Sequence, residues 1–308
     1  MLLARVVSTI CSTAPRSAVT PFKRLLNAPA ASGELQDAFL EPVEGRPGVS
    51  YLSLNRPKAR NQIKQALDTA QKDKRLVPAD ALGLLILTVY SLRTLIVRST
   101  SPGAFCAGAD LVERKSMSKE EVDAFLANLR AAFCSLEDLP IPTIAAIDGP
   151  ALGGGLEMGL CCDLRVAGTA SSTVTKIGLP ETRLGIIPGA GGTQRAVRLL
   201  GLPRAKALVY TGRALDAKEA LSWGIVDYVS NDGQSATERA LELADEMSSS
   251  APLALRAAKR ALSVSPDLSL AEGLDLERAC YEPLLSSKDR TEALTAFQEK
   301  RKPVFRGE

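Results

Sequence analysis

Two glutamates stand where a solvated surface carboxylate is hard to place. Glu157 lies in the largely apolar run from Leu156 to Leu164. Glu181 follows Gly178-Leu179-Pro180 and precedes the apolar run Leu184 to Ile187. A carboxylate set in apolar sequence is costly unless it is paired, hydrated or used. Burial would lift its pKa above ~4.3, toward values useful for proton transfer. Two such groups can divide acid and base roles. Immediately before Glu157 stand Gly153, Gly154 and Gly155. Glycine there lets a ligand approach the backbone, and a helix starting there presents free N–H groups with positive partial charge. That combination suits an anion or a developing oxyanion. Pattern alone also allows plainer readings, namely a tight strand-to-helix turn and salt-bridged or surface glutamates.

Composition removes other chemistries. The 308 residues contain no histidine, which excludes Ser-His-Asp triads, Cys-His pairs and HExxH zinc sites. Acid-base work must fall to carboxylates, Lys, Tyr or Cys. The glycine run is not a GxxxxGK[ST] phosphate loop, since no Lys follows. Gly189-Ala190-Gly191-Gly192 does not complete GxGxxG, because Gln194 takes the last glycine position. Cys11, Cys106, Cys134, Cys161, Cys162 and Cys280 form no CxxC pair; they read as small, reduced, buried residues, and no metal site is expected.

The formal charge is +3, and its excess sits in the leader. The first 33 residues carry Arg5, Arg16, Lys23 and Arg24 and no acid, leaving 34 basic against 35 acidic residues beyond them. The remainder therefore offers no net field for nucleic acid or membrane. A leader rich in Arg, Ser and Ala without acids reads as a mitochondrial transit peptide over 1–33, which implies the matrix.

The elements that must position the glutamates follow an α/β pattern. Strands are expected at Val49 to Leu54, Thr94 to Val97, Thr143 to Ile147 and Leu164 to Ala167. Ser118 and Glu121 form a capping box ahead of one apolar face, Val122, Phe125, Leu126, Leu129, Phe133 and Leu136. Pro140 and Pro142 close that helix. A short helix is expected over Gln62 to Lys74, and a buried strand or helix over Ala81 to Leu92, which is too short to span a bilayer. From about Glu238 onward the pattern is helical throughout.

Several segments together resemble the enoyl-CoA hydratase/isomerase (crotonase) superfamily. They are Ile144 to Gly149, Ala151 to Glu157 and Cys162 to Leu164, joined by Leu54 to Asn61, Phe105 to Leu111, Gly185 to Arg195, Lys288 to Arg290 and Ala296 to Arg301. The branch that hydrates methylglutaconyl-CoA in mitochondria is the nearest match. The resemblance implies a crotonase-like spiral of ββα units over 40–235 and a C-terminal helical trimerisation region over 236–308. It implies an acyl-CoA thioester substrate in amino-acid or fatty-acid degradation, leucine breakdown foremost, and no cofactor apart from the coenzyme A of the substrate. The family's oxyanion hole maps onto the backbone N–H groups of Ala109 and Gly154, and its catalytic carboxylates map onto Glu157 and Glu181. Lys58 and Ala59 would lie along the CoA, with Asp110, Leu111 and Gly153 also touching substrate. A homotrimer or hexamer is implied, with no membrane partner.

Two departures qualify the match. Leu76 to Ser91 has no family counterpart and takes the place of a long amphipathic helix; a genuine insertion or a retained intron would each produce it. That helix carries a lysine-rich face in an RNA-binding relative, and Lys64, Lys72 and Lys74 do not rebuild it, which argues against RNA binding. The stretch from Glu157 to Glu181 is also longer than usual, with Ser171 to Thr175 as the excess. If that excess bulges outward, the carboxylates still meet; if not, Glu181 is misplaced, and ~1 Å of error can cost 10²-fold. Hydration of an enoyl-CoA is the first reading. Enoyl-CoA isomerisation is the alternative, as is an inactive acyl-CoA-binding or RNA-associated homologue.

Overall fold

The computed structural model describes residues 38–57, 92–108, 115–170 and 174–308. The expected transit peptide, the helix over Gln62 to Lys74, the unmatched stretch Leu76 to Ser91, and Lys58, Ala59, Ala109, Asp110 and Leu111 lie outside the described residues, as do Ser171 to Thr173.

The first described element is β1 (Ala38–Pro42), antiparallel to β2 (Val49–Leu54). The sequence reading starts the sheet at Val49 and misses β1. This edge strand is half-buried and ends in proline, so it lacks the alternation that marks a strand. Strand β3 (Thr94–Ser99) pairs parallel with β2, Val49 facing Thr94. Helix α1 (Lys119–Glu137) follows, and its capping box is formed: Glu121 N–H donates to Ser118 Oγ (3.2 Å) and Ser118 N–H to Glu121 Oε2 (2.7 Å). Strand β4 (Thr143–Ile147) is buried at every position, as a central parallel strand should be.

Next come β5 (Ala151–Leu152) and α2 (Gly154–Gly159). Helix α2 is shorter than the apolar run Leu156 to Leu164 suggests, because the chain turns at Cys161 and Cys162 and enters β6 (Leu164–Ala167). Strand β7 (Ile177–Gly178) leads to a 3₁₀ turn over Glu181–Leu184. Then follow α3 (Gly192–Leu200), α4 (Leu202–Thr211), β8 (Ala214–Leu215), α5 (Ala217–Trp223) and β9 (Tyr228–Val229). The strands form one sheet in the order β1-β2-β3-β4-β6-β9 and a second in the order β5-β7-β8.

Both faces of the larger sheet are covered. Leu95, Val97, Ala145, Ile147 and Ala167 belong to one apolar cluster with Phe125, Leu129, Phe133 and Leu136 of α1. Ile96, Ile144, Ala146 and Val166 belong to a second, with Ala236, Ala240, Leu243 and Ala244 of α6 (Ala236–Ser248). This strict alternation along β3 and β4 follows from the two-residue period of strands. Asp148, just past β4, receives the Ala236 N–H on Oδ1 (2.7 Å) and the Thr237 N–H on Oδ2 (3.3 Å). A carboxylate at that helix start offsets its free donors.

Helices α7 (Pro252–Ser263), α8 (Leu270–Tyr281) and α9 (Lys288–Gln298) complete the chain. They bury little against the rest, and Leu262, Leu270, Leu274 and Phe297 stand largely in solvent. Lys259 of α7 still reaches back, its Nζ donating to Asp163 Oδ2 (2.8 Å) and Ile141 O (2.9 Å). Among the described residues no helix is long and apolar enough to cross a membrane.

Candidate active site

The glycine run is built by close backbone approach. Gly153 has φ 54° and ψ −124°, a conformation that side chains disfavour, and its N–H donates to Gly178 O (2.9 Å). A Cβ on Gly155 would overlap the Cys106 carbonyl. Gly108 has φ +90°, and its Cβ would stand 2.8 Å from Leu152 O and 3.6 Å from Gly154 N. The segment Cys106 to Gly108 therefore crosses directly beside the start of α2. Gly154 is the first residue of that helix, so its N–H has no intrahelical carbonyl to reach.

One turn on, α2 carries Glu157, 3% exposed. Its Oε1 receives two backbone N–H groups, from Ala190 and from Gly192, each at 2.8 Å. Both donors lie in the turn that begins α3, where Gly191 takes φ +112°. Two convergent donors on one oxygen fix the carboxylate plane. The far end of α2 is held through Arg165, whose guanidinium donates to Cys162 O (2.6 Å), to Ile225 O (2.8 Å) and to Asp227 (2.8 Å).

Glu181 opens the 3₁₀ turn and is 8% exposed. Its neighbours anchor it to the end of α4: Thr182 Oγ1 donates to Val209 O (2.7 Å) and Arg183 Nε to Thr211 O (3.0 Å). Glu181 Oε2 is buried and has no hydrogen-bond partner among the described residues. Burial pushes this carboxyl up to about 7; a hydrogen bond from its own backbone opposes the rise, and nearby Glu157 adds to it. One carboxyl is thus locked by N–H donors, and the other is desolvated beside it and inclined to hold a proton.

The long stretch between the glutamates does not separate them. Thr175 is buried and its Oγ1 donates to Gly168 O (3.0 Å). Ala151 N–H then takes up Lys176 O (2.8 Å), which restores β7 beside β5. Val174, just inside the closure, is 68% exposed.

The structure thus brings Glu157, Glu181, Gly153 and Gly154 together. The sequence reading missed the groups that hold Glu157. Arg195 of α3 donates through Nη1 to Ala190 O (3.0 Å) and through Nε (3.1 Å to each oxygen) and Nη2 (2.5 Å) to Glu137 of α1. The available signal was the glycine-rich turn ahead of an amphipathic helix; the 58-residue separation of Glu137 and Arg195 leaves no local pattern.

The chain is similar over most of its length to proteins of one family. A family model described as "Enoyl-CoA hydratase/isomerase" matches residues 44–308. The "Enoyl-CoA isomerase/hydratase fer4" of Mycosarcoma maydis is 52% identical over 282 residues, covering 88% of this chain and 97% of that protein. The mitochondrial methylglutaconyl-CoA hydratase of Homo sapiens is 42% identical over 286 residues, 89% of this chain and 78% of that one. A crystal structure of enoyl-CoA hydratase from Bacillus anthracis superposes with a TM-score of 0.79 at 40% identity, covering 89% of this chain and all of that chain.

Proposed function

Because the chain belongs to the enoyl-CoA hydratase/isomerase family, we propose that it adds water across the 2,3 double bond of an enoyl-CoA thioester, giving the 3-hydroxyacyl-CoA. The carrying observation is the pair of buried carboxyls in different states of restraint, Glu157 fixed by two N–H donors and Glu181 raised to about 7. In this reading Glu157, as carboxylate, orients the water and takes its proton. Oxygen bonds to the β-carbon while the C=C electrons shift toward the thioester carbonyl. The N–H groups of Gly154 and Ala109 receive the growing negative charge, and such a donor is worth ~3 kcal/mol of barrier. Glu181, protonated, then delivers a proton to the α-carbon. Glu157 ends protonated and Glu181 ionised, and exchange with solvent restores both. Each general acid or base contributes ~10²–10⁴ in rate. Lys58, Ala59, Asp110, Leu111 and Gly153 complete the contacts to the acyl-CoA.

Methylglutaconyl-CoA or another short or branched enoyl-CoA is the substrate we favour, in leucine or fatty-acid breakdown, supported by the 42% identity to the human hydratase. The leader composition, and relatives named as mitochondrial, support a transit peptide over 1–33 and residence in the matrix. Exposed Leu262, Leu270, Leu274 and Phe297 support burial of the C-terminal helices between subunits, in a homotrimer or hexamer.

A second reading has one observation behind it: the Mycosarcoma maydis relative is named both isomerase and hydratase. Moving a double bond needs only one base, whereas two buried acids suit addition of both elements of water. The test is an assay of the purified full-length chain with crotonyl-CoA and methylglutaconyl-CoA. Formation of 3-hydroxyacyl-CoA supports hydration. Double-bond migration without hydration supports the isomerase. Saturable acyl-CoA binding without turnover means an inactive homologue.

A further inference from the structure

Arg195 does not reach the carboxyl pair, yet it grips the turn that aims Glu157. Its guanidinium is wedged between two elements. On one side Nε and Nη2 fork onto the Glu137 carboxylate of α1. On the other, Nη1 donates to Ala190 O at 3.0 Å. The side chain is 11% exposed, against 43% for Glu137, so the fork is covered on the arginine side and open to solvent on the glutamate side. A Cβ on Gly191 would overlap Nη1, with Cζ and Nε farther away, so the guanidinium meets that glycine with its Nη1 end.

The peptide it grips is the informative one. Ala190 O belongs to the Ala190–Gly191 unit. The units on either side carry the two N–H groups that donate to Glu157 Oε1, Ala190 N–H and Gly192 N–H. Holding the middle plane restrains the turn on which both donors ride. Glycine at 189, 191 and 192 would otherwise leave this turn loose.

We propose that Arg195, braced by Glu137, is a positioning residue that sets the orientation of the Glu157 carboxylate through the Ala190–Gly191 peptide. The inference rests on Glu157 acting as the base. Its mark is a loss in kcat rather than in substrate binding, because a displaced base spoils attack while the acyl-CoA contacts persist.

The test is steady-state hydration of crotonyl-CoA by Arg195→Met, Glu157→Gln and the double variant, each checked for a native thermal transition. Arg195→Met is expected to lower kcat about 10- to 100-fold with KM held within about threefold. In the Glu157→Gln background the same change costs no more than about twofold, since the group it positions is already disabled. Arg195→Lys recovers part of kcat, as it keeps the charge and one donor but loses the fork. Should Arg195→Met fail to fold, Glu137→Gln serves instead, with a smaller kcat loss that again vanishes beside Glu157→Gln. Losses that multiply, or wild-type kcat in the Arg195 variant while Glu157→Gln is impaired, overturn the positioning role and leave the Glu157 reading intact. Wild-type turnover by Glu157→Gln removes that reading and this inference with it.

Discussion

The Glu181 carboxyl lies against the bare α-carbon of Gly153: a Cβ there would stand 2.9 Å from Oε1 and 3.4 Å from the carboxyl carbon. The contact joins the start of α2 to the 3₁₀ turn across a 28-residue separation, and it needs a residue without a side chain. Gly153→Ala should therefore displace Glu181 and strain a φ of +54°. We expect kcat to fall on the order of 10²-fold and stability to drop by about 1–3 kcal/mol. Kinetics on the enoyl-CoA and urea unfolding check the two effects separately.

Glu181→Gln removes a transferable proton and keeps the shape. KM for the acyl-CoA should stay near that of the unaltered chain, and kcat should drop ~10²–10⁴-fold. Turnover at the unaltered rate would refute the proton-donor role.

Activity should respond to pH through the same carboxyl. As a donor Glu181 works only while protonated, and burial places its pKa at about 7. The rate should therefore decline as pH rises through that value, and the decline should be missing from the residual rate of Glu181→Gln.

Stability should carry a matching signature. In the unfolded chain Glu181 titrates near 4.5, and in the native chain near 7. Between those values the native state binds more proton than the unfolded one, so this group's contribution falls as pH rises across the window and stays low above it. Replacing it with Gln should add more to the urea midpoint at pH 8 than at pH 5.

Helices α7 and α8 should lose their partners when their apolar faces are charged. Leu262 is 69% exposed and Leu270 80% in the single chain. Leu262→Glu with Leu270→Glu should shift the mass measured by light scattering from trimer or hexamer toward monomer. An unchanged mass places the subunit contact elsewhere.

Much of this was legible in the residues. The run Thr143 to Ile147, apolar after its threonine, forms a central strand buried at every position, and Ser118 with Glu121 fixes the start of α1 through purely local hydrogen bonds. The family resemblance carried the fold, and the apolar surroundings of Glu157 and Glu181 pointed to their burial. Strand β1 was not, because an edge strand closed by Pro42 carries little periodicity. Nor were the two-residue strands β5, β7 and β8, which owe their pairing to the crossing of distant segments. The same holds for the grip of Arg195 on Ala190 and of Arg165 on Cys162: main-chain acceptors leave no trace in residue type.

The hydroxyl of Thr175 closes on the carbonyl of Gly168. That bond ties the residue just past β6 to one just ahead of β7, so the meeting of those two ends is set by a side chain and a carbonyl rather than by a continuous run of regular structure.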